Sequence, residues 1–152
     1  MDRIIILGNE KELIRLADRI NKNYCGDQAD VVMYNDTEIG EKTSADNLFF
    51  IGHANALKIG DYDYKDLIKH FGAHLKGAKT IYLSGCSTKS EAVQILKGGF
   101  VALSLADNIK KYSGKVVYGT PGVLVLHGDN LYVEVSLGSG YKSSDIFVPS
   151  KV

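Results

Sequence analysis

A histidine and a cysteine follow two hydrophobic strand patterns in this sequence, and together they have the chemistry of a thiol nucleophile with its base. The first pattern, Leu48–Ile51, leads to His53, and the second, Thr80–Leu83, leads to Cys86. The attacking species in such a pair is the thiolate, and a neighbouring imidazole can take the proton from the thiol. Cys86 also precedes a helical pattern whose N-terminal dipole favours negative charge. The sequence therefore predicts a Cys–His pair at the ends of two strands.

The residues around the cysteine fit the same chemistry. Gly85 allows a sharp turn after the strand, and the backbone N–H of Cys86 can donate to an oxyanion. Cysteine is also among the most buried residue types, and most single cysteines do no chemistry. The hypothesis thus depends on the shared placement of His53 and Cys86 at strand ends.

Strand and helix patterns alternate through the first 118 residues. This alternation predicts a three-layer α/β fold with a mostly parallel sheet and helices on both faces. Ligands of such sheets bind beyond the carboxyl ends of the strands, where His53 and Cys86 both fall. The predicted strands are Ile4–Leu7, Val31–Met33, Leu48–Ile51, Thr80–Leu83 and Val116–Tyr118, and the predicted helices are Glu10–Lys22, Tyr64–Gly77, Lys89–Leu96 and Phe100–Tyr112.

The C-terminal third predicts a β-hairpin followed by a tail. Val123–Leu126 and Leu131–Val135 flank a short polar turn at 127–130, which is a hairpin signal. Residues 138–152 are rich in glycine and serine, a composition typical of a mobile tail. We therefore expect one domain over residues 1–137 and a tail over residues 138–152.

Composition indicates an ordinary globular protein. The chain has 152 residues, the usual size of one domain, and its 18 basic and 18 acidic residues cancel. This balance argues against a dedicated nucleic-acid or membrane-surface protein. The apolar run that begins at Ile4 is too short for a signal-peptide core or a membrane span. We expect a cytoplasmic protein with free thiols at Cys25 and Cys86.

The two strand ends also carry a resemblance to a known group of enzymes. The segments LFFIGHA and IYLSGCS resemble the two motif blocks of the caspase-like clan of cysteine peptidases (clan CD). The segment GGFVALSLADNIKKYSGKVVYG resembles the helix and strand that follow the cysteine in its bacterial branches, which include CHAT peptidases and self-processing toxin domains. The resemblance covers about Ile4 to Tyr118, and it implies a sheet of strand order 2-1-3-4-5.

The resemblance implies a cysteine endopeptidase that hydrolyses peptide bonds through a thioester acyl-enzyme and is in some relatives self-processing. His53 would accept and donate the proton, Cys86 would be the nucleophile, and the backbone of Ala54 and Cys86 would bind the oxyanion. The partner would be a peptide or protein substrate. Toxin domains of the clan use a basic surface for an inositol phosphate activator, but the lysines of this chain are scattered and its net charge is zero. We therefore expect no cofactor, nucleic-acid or membrane partner. Residues expected by resemblance to line the substrate pocket are Asp46, Asp61, Ser84, Gly85 and Thr120.

Three departures from the clan pattern keep an alternative open. The residue after the histidine is usually glycine, and here it is Ala54. The 33 positions from His53 to Cys86 are few, and the total length of 152 residues is small for a peptidase of this clan. The alternative is a catalytically inactive module of the same fold that binds a protein partner. A third possibility is a small-molecule-binding α/β domain that uses the same strand ends.

A metal site is the competing use of histidine in this chain. His70 and His74 are four residues apart on a predicted helix, the spacing of a histidine pair that holds a metal. No glutamate follows His70, and no third ligand is evident. We therefore expect no metal site.

Overall fold

The centre of the molecule is a six-stranded sheet, and the computed structural model describes residues 1–36, 39, 42–85, 95–96, 100–101 and 104–152 of the chain. In chain order the elements are β1 (Arg3–Ile6), α1 (Lys11–Tyr24), β2 (Asp30–Met33), β3 (Ala45–Ile51), α2 (Tyr64–Gly77), β4 (Ala78–Ser84), β5 (Ile95–Leu96), β6 (Phe100–Val101), α3 (Leu105–Ser113), β7 (Val116–Gly119), β8 (Val123–His127), β9 (Asn130–Glu134) and β10 (Val148–Pro149).

The strand order of the sheet is β2-β1-β3-β4-β7-β10. The first five of these strands run parallel, and β10 pairs antiparallel with β7. Since β7 is the fifth strand predicted from the sequence, the expected parallel order 2-1-3-4-5 is confirmed. Because β3 and β4 run parallel, the His53 loop and Gly85 follow them at the same edge of the sheet.

Both faces of the sheet are covered, as continuous β-branched runs predict. Ile4 and Ile5 are neighbours in β1 that point to opposite faces, and both are fully buried. One core lies between the sheet and helices α2 and α3, and it contains Phe50 and Leu67. A second core lies between the other face and α1. The α/β architecture with helices on both faces is therefore present.

The hairpin β8–β9 completes the layer that α1 begins. Its strands pair antiparallel from Val123 to Glu134, as the sequence predicts. Leu131 is buried in the same core as Leu13 of α1, with Leu124 and Leu126 packed against that core. Alternation in β8 turns these leucines toward the sheet, because successive side chains of a strand point to opposite sides.

Helix α2 begins with a reciprocal cap that fixes the end of the loop after His53. The Asp63 carboxylate accepts from the backbone N–H of Asp66 at 2.8 Å, and Asp66 accepts from the N–H of Asp63 at 3.2 Å. This arrangement satisfies two donors that a helix start otherwise leaves unpaired. Phe71 departs from helical backbone angles, so the helix carries a kink at its buried face.

Two predicted helix boundaries were wrong in the described residues. Phe100 and Val101 form β6, which pairs with β5, and helix α3 begins only at Leu105. The reason is the cap: the Ser104 hydroxyl accepts from the N–H of Asp107 at 3.3 Å. The predicted helix Lys89–Leu96 falls mainly outside the described residues, and its last two positions belong to β5.

The second half of the predicted tail packs on the body of the domain. Ile146 and Val148 are buried, and Phe147 lies edge-on against the ring of Tyr82 at a centroid distance of 5.1 Å. The N–H of Ser150 donates to the carbonyl of Val117 at 2.8 Å. These contacts add β10 to the sheet beside β7.

Candidate active site

The ends of β3 and β4 lie level at the carboxyl edge of the sheet. Ile51 pairs with Ser84 in the parallel register, and the N–H of Gly52 reaches the carbonyl of Ser84 at 3.4 Å. His53 follows β3 by two residues, and Gly85 directly follows β4. The register therefore brings the two predicted strand ends side by side.

Gly85 is in close contact with the residues on either side of His53. A Cβ atom at position 85 would lie 2.5 Å from the Cβ of Ala54 and 2.6 Å from the carbonyl oxygen of Gly52. Such distances are shorter than real Cβ contacts, so only glycine fits there without a shift of the backbone. The chain thus reaches position 86 from a point packed against the His53 loop. Cys86 itself lies outside the described residues.

The His53 imidazole lies against the first turn of α1. Its Nε2 is 3.2 Å from the Oε1 of Glu12, and the two side chains are 61% and 65% exposed. Solvent screens a pair this exposed, so its contribution to stability is small. The contact still gives the ring a direction, because Nε2 faces the carboxylate and leaves Nδ1 for another partner.

A short loop after His53 holds the backbone of this segment. The N–H of Gly60 donates to the carbonyl of His53 at 2.6 Å, and the N–H of Asn55 donates to the carbonyl of Lys58 at 2.9 Å. The Asn55 side chain accepts from two further N–H groups inside the loop. Ile59 is fully buried beneath it and serves as the loop's apolar anchor.

Ala54 is placed so that its N–H remains available. It forms an isolated antiparallel bridge with Ile59. The hydrogen bonds of this bridge are those of the flanking residues, so the pair is of the non-hydrogen-bonded kind and the Ala54 N–H points away from Ile59. Within the described part of the chain no acceptor receives it. The hydrogen bonds of the loop therefore leave the Ala54 N–H unused.

Two cavities flank His53, and they differ in chemistry. The first has a volume of about 150 Å³ and is walled by α1, the hairpin and the two strand ends. Its walls include Leu13, Leu16, Leu124, Leu126, His53 and Gly85. The second has a volume of about 280 Å³ and is more polar, and its walls include Asn9, Glu10, Tyr34, His53, Asp61 and Tyr62. Gly85 borders only the first of these two.

Three further residues expected in the pocket lie at this edge in different settings. Asp61 is exposed and borders the polar cavity. Ser84 is fully buried, and its hydroxyl has no hydrogen-bond partner among the described residues. Thr120 is also fully buried and follows β7. Asp61 therefore shares the polar cavity with His53. The Ser84 and Thr120 side chains are buried inside the protein.

Asp46 does not belong to this site. It is the second residue of β3, so it lies at the amino edge of the sheet, seven residues and roughly 20 Å from His53. Its carboxylate contacts the N-terminal amino group at 2.6 Å and Lys79 Nζ at 3.0 Å. Hydrogen bonds from these two cations lower the pKa of Asp46 to about 2. The structure therefore does not bring Asp46 to His53, since the two residues lie at opposite ends of β3.

Cys25 has the properties of an unreactive thiol. It carries a free thiol, is 9% exposed and packs in the core beside α1. Burial, followed by the nearby Asp2 carboxylate, raises the pKa of Cys25 to about 12. A thiol with so small a thiolate fraction is a poor nucleophile at neutral pH.

Sequence reasoning missed two contributors to the site. Glu12 gives no sequence signal, because nothing in the helical pattern indicates which exposed position of α1 faces the strand ends. The leucines of β8 were visible as an alternating pattern, but their position over the His53 edge depends on where the hairpin packs.

The described residues contain no group of three or more metal-ligating side chains, and none of the described helices is long and apolar enough to cross a membrane. Of the two helical histidines, His70 is exposed and His74 is buried.

Comparison with known proteins gives no match: no family model fits the chain, and no curated protein or solved structure is significantly similar to it. The resemblance of the two motif blocks to the caspase-like clan therefore remains a hypothesis.

Proposed function

We propose that this protein is a caspase-like cysteine endopeptidase that uses His53 and Cys86. The observation that carries the proposal is the contact of Gly85 with Gly52 and Ala54. Gly85 is bonded to Cys86, and Gly52 and Ala54 are the two neighbours of His53 in the chain. Proximity of base and nucleophile is the first requirement of such a pair, and this contact supports it.

In the proposed reaction, His53 takes the proton from the Cys86 thiol as the sulfur attacks the carbonyl carbon of a peptide bond. The C–N bond then breaks, the leaving amine receives the proton from His53, and a thioester remains on Cys86. Water, activated by the neutral imidazole, hydrolyses the thioester and restores the thiol. The contact of Nε2 with Glu12 favours Nδ1 as the nitrogen that exchanges the proton.

The proposal also assigns a donor for the negative charge that develops on the carbonyl oxygen. The Ala54 N–H has no acceptor in the described part of the chain and adjoins Gly85 through the Ala54 side chain. A backbone N–H that is held in place before the reaction stabilises an oxyanion without reorganisation. The hydrogen bond from Gly60 to the carbonyl of His53 holds that segment.

The test is covalent labelling with peptidyl acyloxymethyl ketones, read by intact mass and peptide mapping. We expect one adduct, on Cys86, that is absent in Cys86→Ala and forms about a hundredfold or more slowly in His53→Ala. Cys25→Ala is the matched control and should label like the parent protein, because Cys25 is buried.

Two results would overturn the proposal. One is labelling that survives in Cys86→Ala. The other is a folded protein that forms no adduct and cleaves no member of a peptide library, which favours the inactive, partner-binding module instead.

A further inference from the structure

We propose that the apolar cavity beside His53 selects an apolar side chain, such as leucine or phenylalanine, on the substrate residue that contributes the carbonyl of the cleaved bond. We call this cavity the leucine pocket; it is formed by Leu13 and Leu16 of α1 and by Leu124 and Leu126 of β8. The inference rests on the proposed peptidase function and adds the class of substrate.

The position of the leucine pocket assigns it to the residue next to the cleaved bond. Its walls include both His53 and Gly85, the residues at the ends of β3 and β4. If the sulfur attacks a carbonyl carbon between these strand ends, the side chain of the same substrate residue is attached to the adjacent Cα atom. That side chain therefore lies close to both strand ends. The polar cavity borders His53 but not Gly85, so it lies farther from the point of attack.

The lining of the leucine pocket matches an apolar side chain in size and chemistry. The volume is about 150 Å³, and an apolar protein cavity of about this size holds one benzene molecule. The leucine side chains are buried or half-buried and belong to the core around α1. A substrate side chain that enters would continue that core.

The charges at the leucine pocket do not favour a charged substrate. Glu12 and Arg15 both border it, and their charges are of opposite sign. A lysine or aspartate side chain would be attracted by one of these charges and repelled by the other. It would also give up its hydration on entry, which costs free energy. The two carboxylates that could select a basic side chain, Glu10 and Asp61, border the polar cavity instead.

The experiment uses a set of peptidyl acyloxymethyl ketones that differ only in the residue next to the reactive group: Leu, Phe, Ala, Lys or Asp. We expect the Leu and Phe reagents to label the intact protein at least about tenfold faster than the Lys and Asp reagents, and faster than Ala.

Variants of the leucine pocket connect this preference to the cavity. Leu126→Ala should shift the Leu-to-Phe rate ratio toward Phe by widening the pocket, and Leu126→Glu should raise the rate of the Lys reagent relative to Leu. Val125→Glu is the matched control, since it adds the same charge to the same strand from the other face. Circular dichroism checks that each variant is folded, and Leu126→Ala keeps the test valid if the charged variant unfolds.

The outcomes separate this inference from the proposed function. Equal labelling rates for all reagents, or rate ratios that the Leu126 variants leave unchanged, would show that the leucine pocket does not select the substrate side chain. The proposed peptidase function would still stand if Cys86 is labelled. A preference for the Lys reagent would assign selection to the polar cavity and would equally overturn the inference. If no reagent labels Cys86, the proposed function itself fails.

Discussion

The Nε2 atom of His53 lies 3.2 Å from the Oε1 atom of Glu12, and this contact joins the loop after β3 to the first turn of α1. Both side chains are more than half exposed, so water and salt screen the attraction between them. The pair therefore contributes more to the orientation of the imidazole than to the free energy of folding. Glu12 and His53 also both line the leucine pocket, so the contact lies at the wall of that cavity.

Glu12→Gln should slow labelling of Cys86 by no more than about fivefold, because exposed ion pairs are worth about 0.2–1 kcal/mol. The free energy of unfolding should change by less than about 1 kcal/mol. The measurement is the second-order labelling rate as a function of salt, and the parent rate should fall toward that of the variant as salt rises. Asp18→Asn removes the same charge from the same helix, away from His53. Equal effects of the two substitutions would contradict a specific role for the contact.

Gly85→Ala should destabilise the protein by about 1–3 kcal/mol, since the added methyl has no room between Ala54 and Gly52. Labelling of Cys86 should fall at the same time, because relief of the clash moves β4 away from the His53 loop. Urea unfolding and labelling rates measure the two effects. Gly72→Ala is the control: its nearest neighbour is the Tyr112 hydroxyl at 3.4 Å, so stability should be unchanged or slightly raised. A stable, fully reactive Gly85→Ala protein would contradict the close contact.

The stability of the protein should fall as the pH drops below about 6.5, because of His74. Burial, together with the Arg3 guanidinium, lowers the pKa of His74 in the folded state, although the Ile39 backbone opposes this. Between the lowered pKa and the ordinary value of about 6.5, the unfolded chain binds a proton that the folded chain does not, so acid favours unfolding. Unfolding free energies measured from pH 8 to pH 5 should show a smaller slope in His74→Gln. His70→Gln, which removes an exposed imidazole from the same helix, is the matched control.

Cys25 should react with iodoacetamide at pH 8 at least about a hundredfold more slowly than a free thiol, because burial and Asp2 raise its pKa to about 12. Peptide mapping after timed exposure measures the rate, and labelling in urea shows that the residue reacts once the protein is unfolded. Fast modification of Cys25 in the folded protein would mean that its core packing opens readily.

The sequence predicted the parts of the fold that depend on local pattern. Continuous apolar runs such as Ile4–Leu7 are buried on both faces, and alternation of strands and helices led to the parallel sheet. The level ends of β3 and β4 followed from parallel pairing, so the placement of His53 and Gly85 was predictable. The start of α3 was harder to predict. The apolar spacing suggested a start at Phe100, but the Ser104 cap sets it at Leu105.

What the sequence did not predict depends on tertiary packing. Asp46 was expected near the site by resemblance to the clan, yet it lies at the start of β3 and therefore at the far edge of the sheet. Leu124 and Leu126 border the site only because the hairpin packs beside α1. The contact of Glu12 with His53 likewise depends on the angle between α1 and the sheet, which no local pattern encodes.

The strand β10 has a consequence for behaviour in concentrated solution. It is two residues long and forms the edge of the sheet next to β7, where another strand could pair. One of its two residues is Pro149, which has no backbone N–H to offer to such a strand. Short, proline-containing edge strands offer few groups for pairing with another molecule. This edge should therefore resist sheet-to-sheet aggregation, and removal of residues 147–152 would leave β7 open to it.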